Sequence, residues 1–203
     1  HGFSDDIGFC VGHEAVGEVM ETGRGVRGLK PGDRVMISAA VGCGACPSCL
    51  AGDVMLCATQ SSSCYGLSHK LQGSQAQAVR VPAADINARL LPEGLSEEQG
   101  LLLTDGLPTA WMALKNADIR PGAVVAVVGL GPIGLMAVEG AFLLGASKVF
   151  AIDLVASRRQ TAEAIGAIAL DAADATDLIR EQTHGRMCNA VVEAVGADAS
   201  IEL

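Results

Sequence analysis

Aromatic residues are almost missing from this chain: one Trp, one Tyr and four Phe among 203 residues. A core without them must close on small aliphatic side chains, and half of the residues are apolar while 25 are glycine. Such a composition suits tight turns and close strand-to-helix packing. Positive charge is also scarce, with 14 Lys and Arg against 23 Asp and Glu and a formal net charge of -9. The densest basic cluster is the pair Arg158-Arg159, too little for the basic face of a nucleic-acid binder. No apolar run reaches the length of a membrane span, and no segment has the pattern of a signal peptide. The expectation is a cytoplasmic protein with neither nucleic acid nor membrane as partner. Charged residues make up only 18%, which speaks for a packed chain over a disordered one. An initiator Met is absent. The chain opens at His1, close to a motif, and closes at Leu203 in what reads as the start of a helix. Both ends therefore read as cut, and a fragment without turnover of its own is expected.

Cysteine is plentiful by contrast. Cys10, Cys64 and Cys188 are scattered, but Cys43, Cys46, Cys49 and Cys57 fall within 15 residues with spacing C-x2-C-x2-C-x7-C. A tight cluster without a secretory signal reads as a metal site before a disulfide framework. Four thiolates fill a tetrahedral zinc and leave no position for water or substrate, so such a site is structural. An iron–sulfur cluster, or cysteines buried as small apolar residues, are the alternatives. The glycines and proline between the cysteines suit a looping lobe better than a core strand.

The second half alternates strand and helix signals. Residues 123–128, Ala-Val-Val-Ala-Val-Val, are apolar on both faces, as in a parallel strand covered from both sides. They lead into Gly129-Leu130-Gly131-Pro132-Ile133-Gly134 and a mostly apolar helix that stops at Gly145. In this G-x-G-x-x-G, Gly129 allows the turn, Gly131 lets backbone approach a pyrophosphate, and Gly134 lets the helix pack on the strand. The helix N-terminus offers free N–H groups to the phosphates, and the backbone of Leu130, Pro132 and Ile133 lies in the same turn. The next strand, 149–152, ends at Asp153, 22 residues after Gly131. A carboxylate there accepts from the adenosine ribose and repels a 2′-phosphate, which favours NAD over NADP. Arg158 and Arg159 read either as a holder for that phosphate or as a solvated first helical turn. A helix over 157–165, a strand over 167–170, a helix over 174–183 and a strand over 190–195 complete a doubly wound pattern. A parallel sheet whose glycines serve packing alone is the bland alternative, but packing does not call for an acid at the strand end.

The first half also holds Gly12-His13-Glu14-Ala15-Val16-Gly17, followed by Gly23. Taken alone, His13 reads as a hydrogen-bonded core residue. With the turn Lys30-Pro31-Gly32-Asp33-Arg34-Val35, the four-cysteine lobe and the glycine motif in this order, the chain resembles the zinc-dependent medium-chain alcohol dehydrogenases over essentially its whole length. The resemblance implies an α/β protein: a truncated β-rich, GroES-like catalytic domain over 1–106, then a truncated Rossmann domain over 107–203. It implies two zinc ions in the full-length protein, one structural and one catalytic. His13 matches a catalytic-zinc ligand and Glu14 an adjacent acid that serves as an alternative ligand. In the segment from Thr104 to Trp111, Asp105 matches a further ligand and Thr109 a residue beside the nicotinamide. From the residues alone, Asp105 ahead of Pro108 reads as a helix N-cap. The family's first cysteine ligand and proton relay lie some twenty residues or more before the histidine. Only twelve residues precede His13 here, and Cys10 is too close to match. The implied activity is hydride transfer between an alcohol or aldehyde and NAD(P), with a zinc-stabilised alkoxide, in a homodimer or homotetramer. A zinc-free quinone or enoyl reductase of the same superfamily and a non-catalytic zinc module are the competing readings. His69 and His184 lie outside any motif.

Overall fold

The computed structural model describes residues 7–59 and 64–203. Two compact units divide the chain, one ending at Asp105 and the other running from Gly106 to Leu203.

The first unit is held by a small antiparallel sheet in the order β1 (Ala15–Glu18), β2 (Arg34–Ile37), β3 (Ala88–Leu90). Gly17 pairs with Val35, and Val35 with Leu90. Val35 and Ile37 turn inward onto Val41, Tyr65, Leu71 and Ala88, which form the core of this unit. The alternation along β2 is the period-2 pattern of a sheet with one buried face. Of two short helices, α1 (Pro47–Leu50) lies within the cysteine segment and α2 (Ala84–Asn87) directly precedes β3. Helix α3 (Glu97–Leu102) opens with a capping box: Ser96 Oγ accepts from the Gln99 N–H and Gln99 Oε1 from the Ser96 N–H.

The second unit is a parallel sheet in the order β6 (Ile168–Leu170), β5 (Lys148–Ile152), β4 (Val124–Val128), β7 (Ala190–Glu193). Helices α4 (Gly106–Asn116), α5 (Pro132–Leu143), α6 (Ala156–Ala164), α7 (Ala175–Gln182) and the short α8 (Asp198–Ile201) alternate with the strands. Strand residues divide between the two faces as the pleat requires. Val125, Val127, Val149 and Ala151 join Leu114, Ala137 and Val138 in one core, while Ala126, Val128, Phe150 and Ile152 join Ala175 and Ile179 in the other. Both faces are covered, which is why β4 and β5 read as unbroken apolar runs. The strand order reverses at β4, and in such sheets ligands bind beyond the carboxyl ends of the strands at the reversal. The glycine turn sits there.

The element bounds differ from the sequence reading by a residue or so, except at the last strand. That strand was expected over 190–195 and stops at Glu193. The Glu193 carboxylate folds back onto the N–H groups of Val195 and Gly196 and the hydroxyl of Ser200. A side-chain acceptor thus takes the donors a longer ladder would use. The chain then turns through Gly196 at φ +76°.

Candidate functional site

The cysteine lobe folds back on itself. Helix α1 begins with Pro47 directly after Cys46, and a 3-10 turn at Val54–Leu56 delivers Cys57 to a fully buried position. The four sulfur atoms lie within 4.8 Å of one another, and Cys46 Sγ is 4.0 Å from Cys57 Sγ. A tetrahedral zinc with Zn–S bonds of about 2.3 Å sets its sulfurs about 3.8 Å apart, so the donor set fits that ion in number, element and spacing. Backbone N–H groups of Cys43 and Ala45 donate to the sulfurs of Cys57 and Cys43 at 3.4 Å each. Local charge stabilisation is uneven. A Thr59 hydrogen bond and the Ala45 and Cys46 N–H groups lower the Cys43 thiol below its ordinary value. The Gly44 N–H acts the same way on Cys49, yet desolvation and the thiols of Cys46 and Cys57 outweigh it and push Cys49 up to about 11. Four thiols so close resist joint ionisation, and a divalent cation among them removes that resistance. Thr59, two residues after Cys57 and 3.6 Å from its sulfur, belongs to no motif.

His13 and Asp105 meet although 92 positions separate them. Nε2 of His13 is 3.2 Å from Oδ2 of Asp105, and the two side chains are 38% and 34% exposed. Two donors on one tetrahedral zinc with arms of about 2.0–2.1 Å lie about 3.3 Å apart, so this pair also has the spacing of two shared ligands. Asp105 stands directly before the first residue of α4, where an N-cap would stand, and its carboxylate reaches His13 as well. Glu14 is exposed, with its carbonyl accepting from Ser74 Oγ at 3.3 Å. Cys64, which has no motif around it, is within the field of Asp105: burial and then that charge raise its thiol. A cavity of about 380 Å³ in this unit lies elsewhere, between β1 and residues 76–81, and neither His13 nor Asp105 lines it.

In the second unit the three glycines of the turn have three different environments. Gly129 has φ +88°, and a side chain there would run into Val195 and the Ala194 carbonyl. Gly134 faces the Gly129 carbonyl so closely that a Cβ would overlap it. Gly131, at the N-cap of α5, faces open space at the mouth of the turn. Pro132 occupies the first helical position with no N–H to offer. The Leu130 N–H donates to Asp153 Oδ2 at 2.7 Å. An anion at this helix start is therefore left the N–H groups of Gly131, Ile133 and Gly134, which helix geometry leaves without intrahelical acceptors.

Asp153 is buried, and its Oδ1 accepts from the Val155 N–H at 2.7 Å. Arg158 lies 3.5 Å from Oδ2, while Arg159 donates to the Asp153 carbonyl and pairs with Asp171. Burial pushes the Asp153 carboxyl up, but the Val155 and Leu130 donors and Arg158 outweigh it and hold it below its ordinary value. Thr109 is exposed near the start of α4.

A thiol lobe on a β unit, joined to a parallel α/β unit with a glycine turn, defines the zinc-binding dehydrogenase class. The alcohol dehydrogenase GroES-like domain matches residues 2–92, and the zinc-binding dehydrogenase domain matches residues 132–203. The chain belongs to the zinc-dependent medium-chain alcohol dehydrogenases. It is 45% identical to a probable zinc-binding alcohol dehydrogenase of Mycobacterium tuberculosis, over 95% of this chain and 49% of that protein. A medium chain reductase/dehydrogenase of Acremonium is 40% identical over 97% of this chain and 70% of its own length. Among solved structures, the alcohol dehydrogenase of Thermus sp. ATN1 superposes with a TM-score of 0.91 at 40% identity, covering 96% of this chain and 57% of that one. The chain thus spans about half the length of several relatives it matches. No helix among the described residues is long and apolar enough to cross a membrane.

Proposed function

We propose that the protein to which these residues belong transfers a hydride between a small alcohol or aldehyde and a nicotinamide dinucleotide, NAD in preference to NADP. The observation that carries the reading is the approach of His13 to Asp105 at 3.2 Å, the spacing of two ligands on one ion. Zinc held there would act as a Lewis acid on the substrate oxygen, while the four-cysteine lobe would hold a second, structural zinc. His13 and Asp105 fix where the substrate oxygen sits, and Glu14 stands beside them as an alternative acid. Gly131, Ile133 and Gly134 present N–H groups to the pyrophosphate. Asp153 directs the ribose, and its charge disfavours a 2′-phosphate. Arg158, already turned to Asp153, neutralises part of that charge. Thr109, near the start of the second unit, would lie beside the nicotinamide when a cofactor is bound.

Elemental analysis tests the metal content. Purified protein should hold at least one zinc per chain, Cys46→Ser should remove one, and His13→Ala should remove any second without touching the first. Protein that holds no zinc, or holds iron instead, would overturn the reading.

A further inference from the structure

Helix α2 lies outside the cysteine segment, yet it grips the segment's entry. Asn87, its last residue, is 2% exposed. Its Oδ1 accepts from the Gly42 N–H at 2.9 Å, and its Nδ2 donates to the Gly42 carbonyl at 2.8 Å. One side chain therefore holds both polar groups of the residue just before Cys43. The remaining Nδ2 hydrogen goes to the Pro82 carbonyl at 2.8 Å. Ile86, the preceding residue, sits where a Cβ on Gly44 would be, so the lobe closes over it only because position 44 is glycine. Gly42 is glycine for a related reason: a Cβ there would lie 2.9 Å from Cys49 Sγ and 3.0 Å from Val54 Cγ1.

The helix has an anchorage of its own. Asp85 accepts from the N–H groups of Arg27 and Gly28 at 3.0 and 2.8 Å. Ala83 starts the turn in the left-handed region at φ +45°, a conformation that persists only where the surroundings hold it. The platform is thus fixed to the 27–28 loop and to β3, independently of the sulfurs. An amide that satisfies a buried N–H and C=O together is costly to remove and restricts the chain to one path.

We infer that α2 presets the four-cysteine lobe for its metal, with Asn87 as the positioning residue and Ile86 as the packing contact. The inference rests on reading the cluster as a zinc site. With the segment's entry held, less chain entropy remains to be lost when the ion binds, so the platform acts on metal affinity as well as on fold stability.

The test is a cobalt(II) titration of the metal-stripped protein, followed by zinc competition, on parent, Asn87→Ala, Ile86→Ala and Val19→Ala. Val19 packs on the core of the same unit from the far end of β1, so its truncation reports a general loss of stability. Parent protein should develop tetrahedral thiolate–cobalt bands. Asn87→Ala should develop the same bands with a dissociation constant raised roughly 10–100-fold, the usual range for residues that orient ligands. Ile86→Ala should shift it less in the same direction, and Val19→Ala should leave it unchanged. If Asn87→Ala does not fold, Ile86→Ala carries the test, and unchanged affinity there overturns the inference. So does a folded Asn87→Ala with parental affinity, or an equal loss in Val19→Ala. Parent protein without thiolate–cobalt bands would instead overturn the zinc reading beneath it.

Discussion

Leu130 and Asp153 are joined by a 2.7 Å hydrogen bond from the backbone N–H of the glycine turn to a buried carboxylate at the end of the neighbouring strand. The bond ties the glycine turn to the acid at the end of the neighbouring strand, the two features to which the proposed function gives the phosphates and the ribose. Each therefore holds the other in place.

Replacing Asp153 should cost stability as well as selectivity. Asp153→Ser removes the acceptor of the Leu130 and Val155 N–H groups and the partner of Arg158. Hydrogen bonds to a charged, buried group contribute roughly 1.5–3 kcal/mol each before neighbours or water compensate. Thermal unfolding should show a clear drop in Tm, and NAD affinity should fall by more than NADP affinity rises. A variant with parental Tm and a clean change to NADP would show that the carboxylate serves the ribose alone.

The same carboxylate should leave a mark on the acid side of the stability curve. Its folded pKa lies below the ordinary value despite burial. Its stabilisation is therefore present above the unfolded value, about 3.9, and is lost as pH falls through the folded value. Urea unfolding followed from about pH 6 down to about pH 3 should fall more steeply for the parent than for Asp153→Asn. Parallel curves would dissociate Asp153 from the acid limb.

Gly131→Ala and Gly134→Ala should separate binding from folding. Gly134 packs on the Gly129 carbonyl, so a methyl group there forces the helix away from the strand, at a cost of roughly 1–3 kcal/mol. Gly131 faces open space and has an ordinary backbone conformation. Its alanine variant should keep the parental Tm while weakening dinucleotide binding, measured by quenching of Trp111 or by calorimetry. A large drop in Tm for Gly131→Ala would mean the turn is held by packing at that position too.

Much of the second unit is legible in the sequence because its signals are local. A covered parallel strand must be apolar on both faces, the turn after it must carry glycine where φ is positive or a helix approaches, and Asp153 follows at the end of the next strand. Arg158 reads from the sequence either as a holder for a 2′-phosphate or as part of a solvated first helical turn. Its 3.5 Å approach to Asp153 depends on how α6 lies along the sheet. The strand expected over 190–195 ends at Glu193 although the whole segment has the composition of a strand. Glu193 stops it through contacts with Val195, Gly196 and Ser200, which composition does not encode.

In the first unit the sequence by itself determined which atoms are available for chemistry: four thiols at short spacing, one histidine in a glycine-flanked motif, and one aspartate just ahead of a helix. Ligand type and spacing follow directly from the order of residues, because four thiols within 15 residues can meet without any distant segment. Tertiary structure alone decided which distant groups join them. The approach of His13 to Asp105 spans most of the unit, and the field of Asp105 on Cys64 and the grip of Asn87 on Gly42 join groups about 40 or more positions apart. Each of these requires loops to close between segments whose separation in sequence carries no period, so no local pattern foretells them. For Asn87 the placement comes from the pairing of β2 with β3 and the anchoring of α2 by Asp85, which hold the end of α2 beside Gly42.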